Sequence, residues 1–517
     1  MSFFPSRGKL VSFCLLLSLS TSAQKDTIAM RYSNLIKADE MKTNLSVLAS
    51  DEYEGRETGK EGQKKAANYI RNYFLNIGIP PYRDNTYYQT YPLNMIMPVP
   101  AEVSINGKQY QGNKDYYNFP GFNEQQIDID NVIFLGYGIE EEKYNDYEGK
   151  NVKDKVVMIL AGEPFKDGLS LISGSSQPSL WTSYNKVKTE KARGSGIKAL
   201  LIIVDDVAKG VEDNRHRLET PSLKLEAGGQ DMPVIYISRE MANSILKKTT
   251  VDKLAEKISK SGKPYGRKLK ASVQIAVKND VKKIEAENVL GYVEGSDLKN
   301  ELVVITAHYD HLGKEGNVVF NGADDDGSGT VAVMQLAKTF MQAKKDGHGP
   351  RRSMLFMTVS GEEKGLLGSS YYTSHPVYPL ENTVCDLNID MIGRVDEKHS
   401  NNPNYIYLIG SDKLSSELHN ISEKANKTYS GLALDYTYND EKDKNRYYYR
   451  SDHYNFAKNG IPVIFYFNGV HADYHKETDE VDKIDFMKME KIAKLVFYTA
   501  WEVANRKDRL KVDSNKK

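Results

Sequence analysis

The 517-residue sequence predicts an α/β protein: a mixed, mostly parallel central sheet flanked by helices, with a smaller α/β unit inserted. Three observations predict it. From residue 287 onward, short apolar runs alternate with amphipathic segments at helical spacing. Between residues 131 and 281, a second series of short apolar runs carries its own helix. Hydrophobic residues are 40% and charged residues 27%, a globular composition on a chain long enough for more than one core.

Residues 1–23 read as a secretory signal. Arg7 and Lys9 precede a short apolar run at 11–20 (VSFCLLLSLS), and Thr21-Ser22-Ala23 supplies small residues before a cut at Ala23/Gln24. The run is shorter than the roughly 20 residues a membrane span needs. The expectation is an exported protein, secreted or periplasmic, with no stable membrane insertion after signal removal.

Residues 24–130 read as the N-terminal part of the main domain. Residues 66–75 (AANYIRNYFL) repeat at helical spacing and stop at Gly78 with Pro80-Pro81 beyond, and residues 87–131 are Tyr-rich strand and loop. The inserted unit spans 131–281. Its strands are 132–137 (VIFLGY), 155–160 (KVVMIL), 199–204 (ALLIIV) and 234–237 (VIYI), with a helix at 184–194 and a basic linker at 260–270. The main domain resumes over 282–507. Strands are predicted at 289–293, 302–307, 354–360, 384–390 and 461–467, and helices at 330–344, from 364, at 414–426 and at 486–505. Residues 508–517 read as a charged, flexible tail.

Composition excludes several function classes. Lys+Arg is 70 and Asp+Glu is 70, which is no charge balance for coating nucleic acid. Of 2 Cys, Cys14 lies in the signal, so neither a disulfide scaffold nor a thiolate zinc cluster can form. No Gly-x-Ser-x-Gly elbow, His-Glu-x-x-His helix or phosphate-binding loop is present.

In parallel sheets, chemistry sits beyond the carboxyl ends of the strands. The predicted strands run into His308-Tyr309-Asp310-His311, Gly361-Glu362-Glu363, Asp390, and His471 through His475. The turn 321–329 carries Asp324-Asp325-Asp326. Singly, acidic turns cap helices and glutamates complement helix dipoles. Jointly, five strand ends or turns that deliver His, Asp, Glu, Asp and His fit a ligand set for two divalent ions, zinc foremost.

These motifs, with residues 388–393, Ser451-Asp452-His453 and Asp479, resemble in order the M28 family of zinc exopeptidases over residues 287–505. Residues 51–56 (DEYEGR) resemble the family's leading segment, and residues 131–281 resemble the protease-associated (PA) domain inserted in many members. The resemblance implies the zinc exopeptidase fold and two zinc ions. It implies that Asp325 bridges them, with His308 and Asp390 completing one site and Glu363 and His475 the other. Glu362 would be the general base. Asp310 would orient His308, and Asp479 His475. Tyr448, three residues before Ser451-Asp452-His453, would polarise the substrate carbonyl, although Tyr447-Tyr448-Tyr449 equally fit a pocket wall. The implied activity is aminopeptidase action on peptides. A carboxypeptidase, a glutaminyl cyclase and a non-catalytic receptor-like scaffold remain alternatives, and the sequence leaves oligomeric state open.

Overall fold

Residues 25–82, 85–183, 186–226 and 231–514 are described by a computed structural model, so the predicted signal and its cut site lie outside the described residues. The main body is built on a nine-stranded mixed sheet. Its order is Ser222–Leu225, Tyr88–Ile96, Val281–Val293, Arg352–Val359, Leu298–His308, Thr383–Ile389, Val463–Phe467, Tyr405–Ile409 and Ala433–Asp435. The middle four strands, from Arg352–Val359 through Val463–Phe467, are mutually parallel. Antiparallel pairing begins on both sides of them.

Both faces of the middle strands are buried, which is why they read as largely apolar runs; Asp386 and Asn388 are buried exceptions that accept from Thr306 Oγ1. Val303, Ile305 and Ala307 point into one core, and Leu302 and Val304 into the other. The first core holds the helices Gly329–Lys345 and Phe486–Asn505, where Phe340 meets Phe356, Phe497 and Trp501. The helix Glu61–Asn76 adds Ala66, Ala67, Ile70 and Phe74 at helical spacing, and Phe74 lies against Gly291.

The second sheet has eight strands in the order Lys108–Tyr110, Glu102–Ile105, Gly266–Val277, Gln125–Leu135, Val156–Leu160, Ala199–Ile203, Val234–Ile237 and Tyr116–Tyr117. It therefore starts near residue 102 rather than 131. The early strands are too short and polar to show periodicity. In return, Ser222–Leu225 leaves this unit and pairs with Tyr88–Ile96 at the edge of the main sheet.

Two further expectations are corrected. Residues 260–270 are not a linker. The helix Val251–Ser261 closes at Gly262, whose positive φ of 67° suits a helix end, and the strand Gly266–Val277 follows. In that strand Lys268 and Lys270 are exposed while Leu269 and Ala271 are buried, a two-residue alternation hidden by the run of charge. Nor are residues 508–514 a free tail. Arg509 donates to the carbonyls of Glu381 and Thr383, Leu510 is buried, and Ser514 donates to the carbonyl of Asp412. Among the described residues, no helix is long and apolar enough to cross a membrane.

Candidate metal centre

The parallel register sets the site. His308 ends its strand opposite Val359, so Glu362 and Glu363 emerge just beyond it, and Asp390 follows Ile389 on the other neighbouring strand. Asp325 arrives on the turn Ala323–Ser328, ahead of the helix Gly329–Lys345. That turn begins at Gly322 with φ 53°. A Cβ there would lie 2.3 Å from the Asp325 carbonyl oxygen and 2.4 Å from Cγ of His311, so only glycine fits.

The five residues expected from sequence to bind metal converge. His308 Nε2 lies 3.3 Å from Asp325 Oδ1 and 3.7 Å from Asp390 Oδ1. His475 Nε2 lies 3.1 Å from Asp325 Oδ2 and 3.3 Å from Glu363 Oε2. Two ligands at zinc–ligand distances near 2.0–2.2 Å in tetrahedral geometry sit about 3.3–3.5 Å apart. The four separations stand near that spacing, and the two oxygens of Asp325 face different histidines. Glu362 Oε2 lies 3.9 Å from His308 Nε2.

Asp326 also comes within ligand range of His308 and Asp390. Its oxygens are already engaged: Oδ2 accepts from the His308 N–H, and Oδ1 from the N–H groups of Gly329 and Met391. It ties three site segments together. The supporting shell departs from expectation in two places. Asp310 reaches His308 Nδ1 through its backbone carbonyl at 3.1 Å, with its carboxylate at 3.7 Å. That carboxylate accepts from Thr58 Oγ1 and from the Glu362 N–H, so it positions the turn carrying Glu362. Asp479 accepts from the N–H groups of Asp324 and Asp325 and so steadies the Asp325 turn, not His475.

Arg56 was not singled out by the sequence, where it is one basic residue in an acidic segment. It is fully buried and donates to the carbonyls of Leu48, Tyr309, Asn321 and Gly322. It thereby clamps the His308 loop to the Asp325 turn. Burial lowers its pKa to about 10, and Asp310, Asp479, Asp325 and Asp326 oppose the fall. Arg56→Met would strand these carbonyls and remove a buried charge from among carboxylates. The expected cost is about 3–5 kcal/mol, with weaker metal retention, read by thermal denaturation and elemental analysis of one preparation.

Charges within the site offset one another. Burial and Asp325 push the Glu363 carboxyl up, but His311 and His475 prevail and hold it down to about 2. For His475, burial works downward, yet Asp325 and Glu363 raise it to about 10. Glu362 is pushed well above the usual carboxylate range, by burial first and by Glu363, Asp452 and Asp390, against the pull of His308.

A cleft opens beside these residues. Asp325, Glu362, Asp390 and His475 form one wall, and Met391, Tyr447, Phe465, Phe467, Val470, Tyr474 and Arg450 the rest. Tyr448 is not in the lining; its ring packs against Gly410 and His453, and its neighbour Tyr447 faces the cleft. Three successive tyrosines concealed which one that would be.

Residues 288–500 match Peptidase family M28. Aminopeptidase YwaD of Bacillus subtilis is 25% identical over 339 residues, covering 64% of this chain and 62% of the relative. A probable leucine aminopeptidase of Arthroderma otae is 29% identical over 211 residues, covering 40% and 54%. The chain thus spans less than two thirds of the length of these relatives. The solved aminopeptidase from Aneurinibacillus sp. strain AM-1 shares the fold at a TM-score of 0.53, with 19% identity over 94% of this chain and 98% of that one.

Proposed function

We propose that the protein is an exported dizinc aminopeptidase. The observation that carries this is the sharing of Asp325 between two ligand sets, with Glu362 beside them on a cleft wall. His308, Asp325 and Asp390 would hold one ion, and Asp325, Glu363 and His475 the other. Zinc bound there supplies a nucleophile at neutral pH by lowering the pKa of water from 15.7 to about 7. Glu362 accepts the nucleophile's proton and returns it to the leaving amine. Its raised pKa suits that exchange. The names of the relatives support the activity, and the pattern of residues 1–23 supports export.

Met391, Tyr447, Phe465, Phe467 and Val470 give the cleft an apolar lining suited to a bulky apolar N-terminal side chain. The eight-stranded unit, which we propose is PA-like, would shape access. Its Glu190 lies 3.8 Å from Arg446 at the start of the tyrosine segment. Arg450 in the cleft wall favours a second reading, since a guanidinium can pair with a substrate's C-terminal carboxylate in a carboxypeptidase.

A panel of peptides with free and blocked termini separates the two. Leucyl and phenylalanyl peptides should be cleaved with an amidated C-terminus and should resist cleavage once N-acetylated. The reverse pattern would establish the carboxypeptidase.

A further inference from the structure

The histidine that ends the His308-Tyr309-Asp310-His311 run has no role in the mechanism above. His311 is fully buried, and neither ring nitrogen has a hydrogen-bond partner. A buried imidazole with both nitrogens unsatisfied is costly and calls for an explanation. Its Nδ1 lies 3.0 Å from Glu363 Oε1 and 3.9 Å from Asp325 Oδ2. Glu363 Oε1 is likewise buried without a hydrogen-bond partner, although its Oε2 faces His475.

Close approach without hydrogen-bond alignment is what two ligands of one ion show. Ligands near 2.0–2.2 Å from zinc stand about 3.3–3.5 Å apart in a tetrahedron and up to about 4.2 Å apart across an expanded shell. His311, Asp325 and Glu363 each offer an atom within 4.8 Å of the others. The ring also has space made for it, because a side chain at Gly322 would overlap Cγ and Cδ2 of His311.

We propose that His311 is a third imidazole of the metal centre, a ligand through Nδ1 to the ion held by Asp325, Glu363 and His475. This rests on the dizinc reading. The two sites are then unequal: one imidazole with Asp325 and Asp390, and two imidazoles with Asp325 and Glu363. The second site, richer in nitrogen, retains its ion more tightly, as borderline ions favour imidazole.

The test reads metal, not turnover. Zinc-edge X-ray absorption of the fully loaded wild-type protein should show three imidazoles shared by two ions. Chelator-competition titration of the apoproteins should show one binding step weakened at least about tenfold in both His311→Ala and His311→Gln, the other step unchanged. Gln fills the ring's volume and can donate a hydrogen bond to Glu363, but offers no imidazole nitrogen. Restoration of wild-type affinity by Gln would make His311 a hydrogen-bonding neighbour of Glu363 and overturn the ligand assignment. Two ions carrying only two imidazoles would overturn it as well, while leaving the dizinc reading intact, and the absorption measurement needs no variant to fold. A wild-type protein that holds fewer than two ions would overturn both.

Discussion

Glu362→Gln is expected to slow hydrolysis by about 10²–10⁴-fold while zinc content stays at the wild-type level. The substitution keeps size and hydrogen-bonding capacity but cannot take up a proton. Glu362 Oε2 lies 3.9 Å from His308 Nε2, and its N–H is held by Asp310. Glu363→Gln should behave differently. Its Oε2 lies 3.3 Å from His475 Nε2, and as the proposed ligand its loss should weaken one ion before the chemical step is touched. Steady-state rates and elemental analysis on the two variants separate base from ligand. Loss of metal in Glu362→Gln with retention in Glu363→Gln would show the two roles to be exchanged.

Asp325→Ala should have the larger effect on metal, because both of its oxygens are in use, toward His308 and toward His475. Both ions are expected to weaken together, and activity should fall by more than the loss seen on removing the base. The neighbouring Asp326→Asn provides the contrast. Asp326 accepts N–H groups from His308, Gly329 and Met391. An amide there keeps one acceptor oxygen and places a donor against N–H groups, so the expected defect is lowered thermal stability at near-normal zinc stoichiometry. Stability and zinc content measured side by side distinguish the two aspartates. An Asp326 variant that loses one ion at unchanged stability would place Asp326 in the coordination sphere.

The main sheet was legible because its middle strands are buried on both faces and largely apolar, and His308, Glu362 and Asp390 stand at or just beyond their carboxyl ends. The ligand candidates were legible for the same reason, each following an apolar run or lying in a Gly-rich turn. What stayed hidden depends on distance in space. Arg56 acts on Tyr309 and Gly322, more than 250 residues away, through backbone carbonyls that leave no trace in side-chain identity. Asp479 reads as a partner for nearby His475, yet folding turns it onto the N–H groups of the Asp325 turn. The short strands Glu102–Ile105 and Lys108–Tyr110 carry too few residues to declare a period, so the start of the second unit was misplaced. The cleft lining comes from six separated segments, around Asp325, Glu362, Met391, Tyr447, Phe465 and Tyr474, and only their assembly makes a pocket.

Zinc stoichiometry of the wild-type protein, measured by elemental analysis after dialysis against trace zinc, bears most directly on the shared role of Asp325. Two ions per chain are expected, with activity rising as the second ion binds. A stoichiometry near one in a fully active preparation would contradict it.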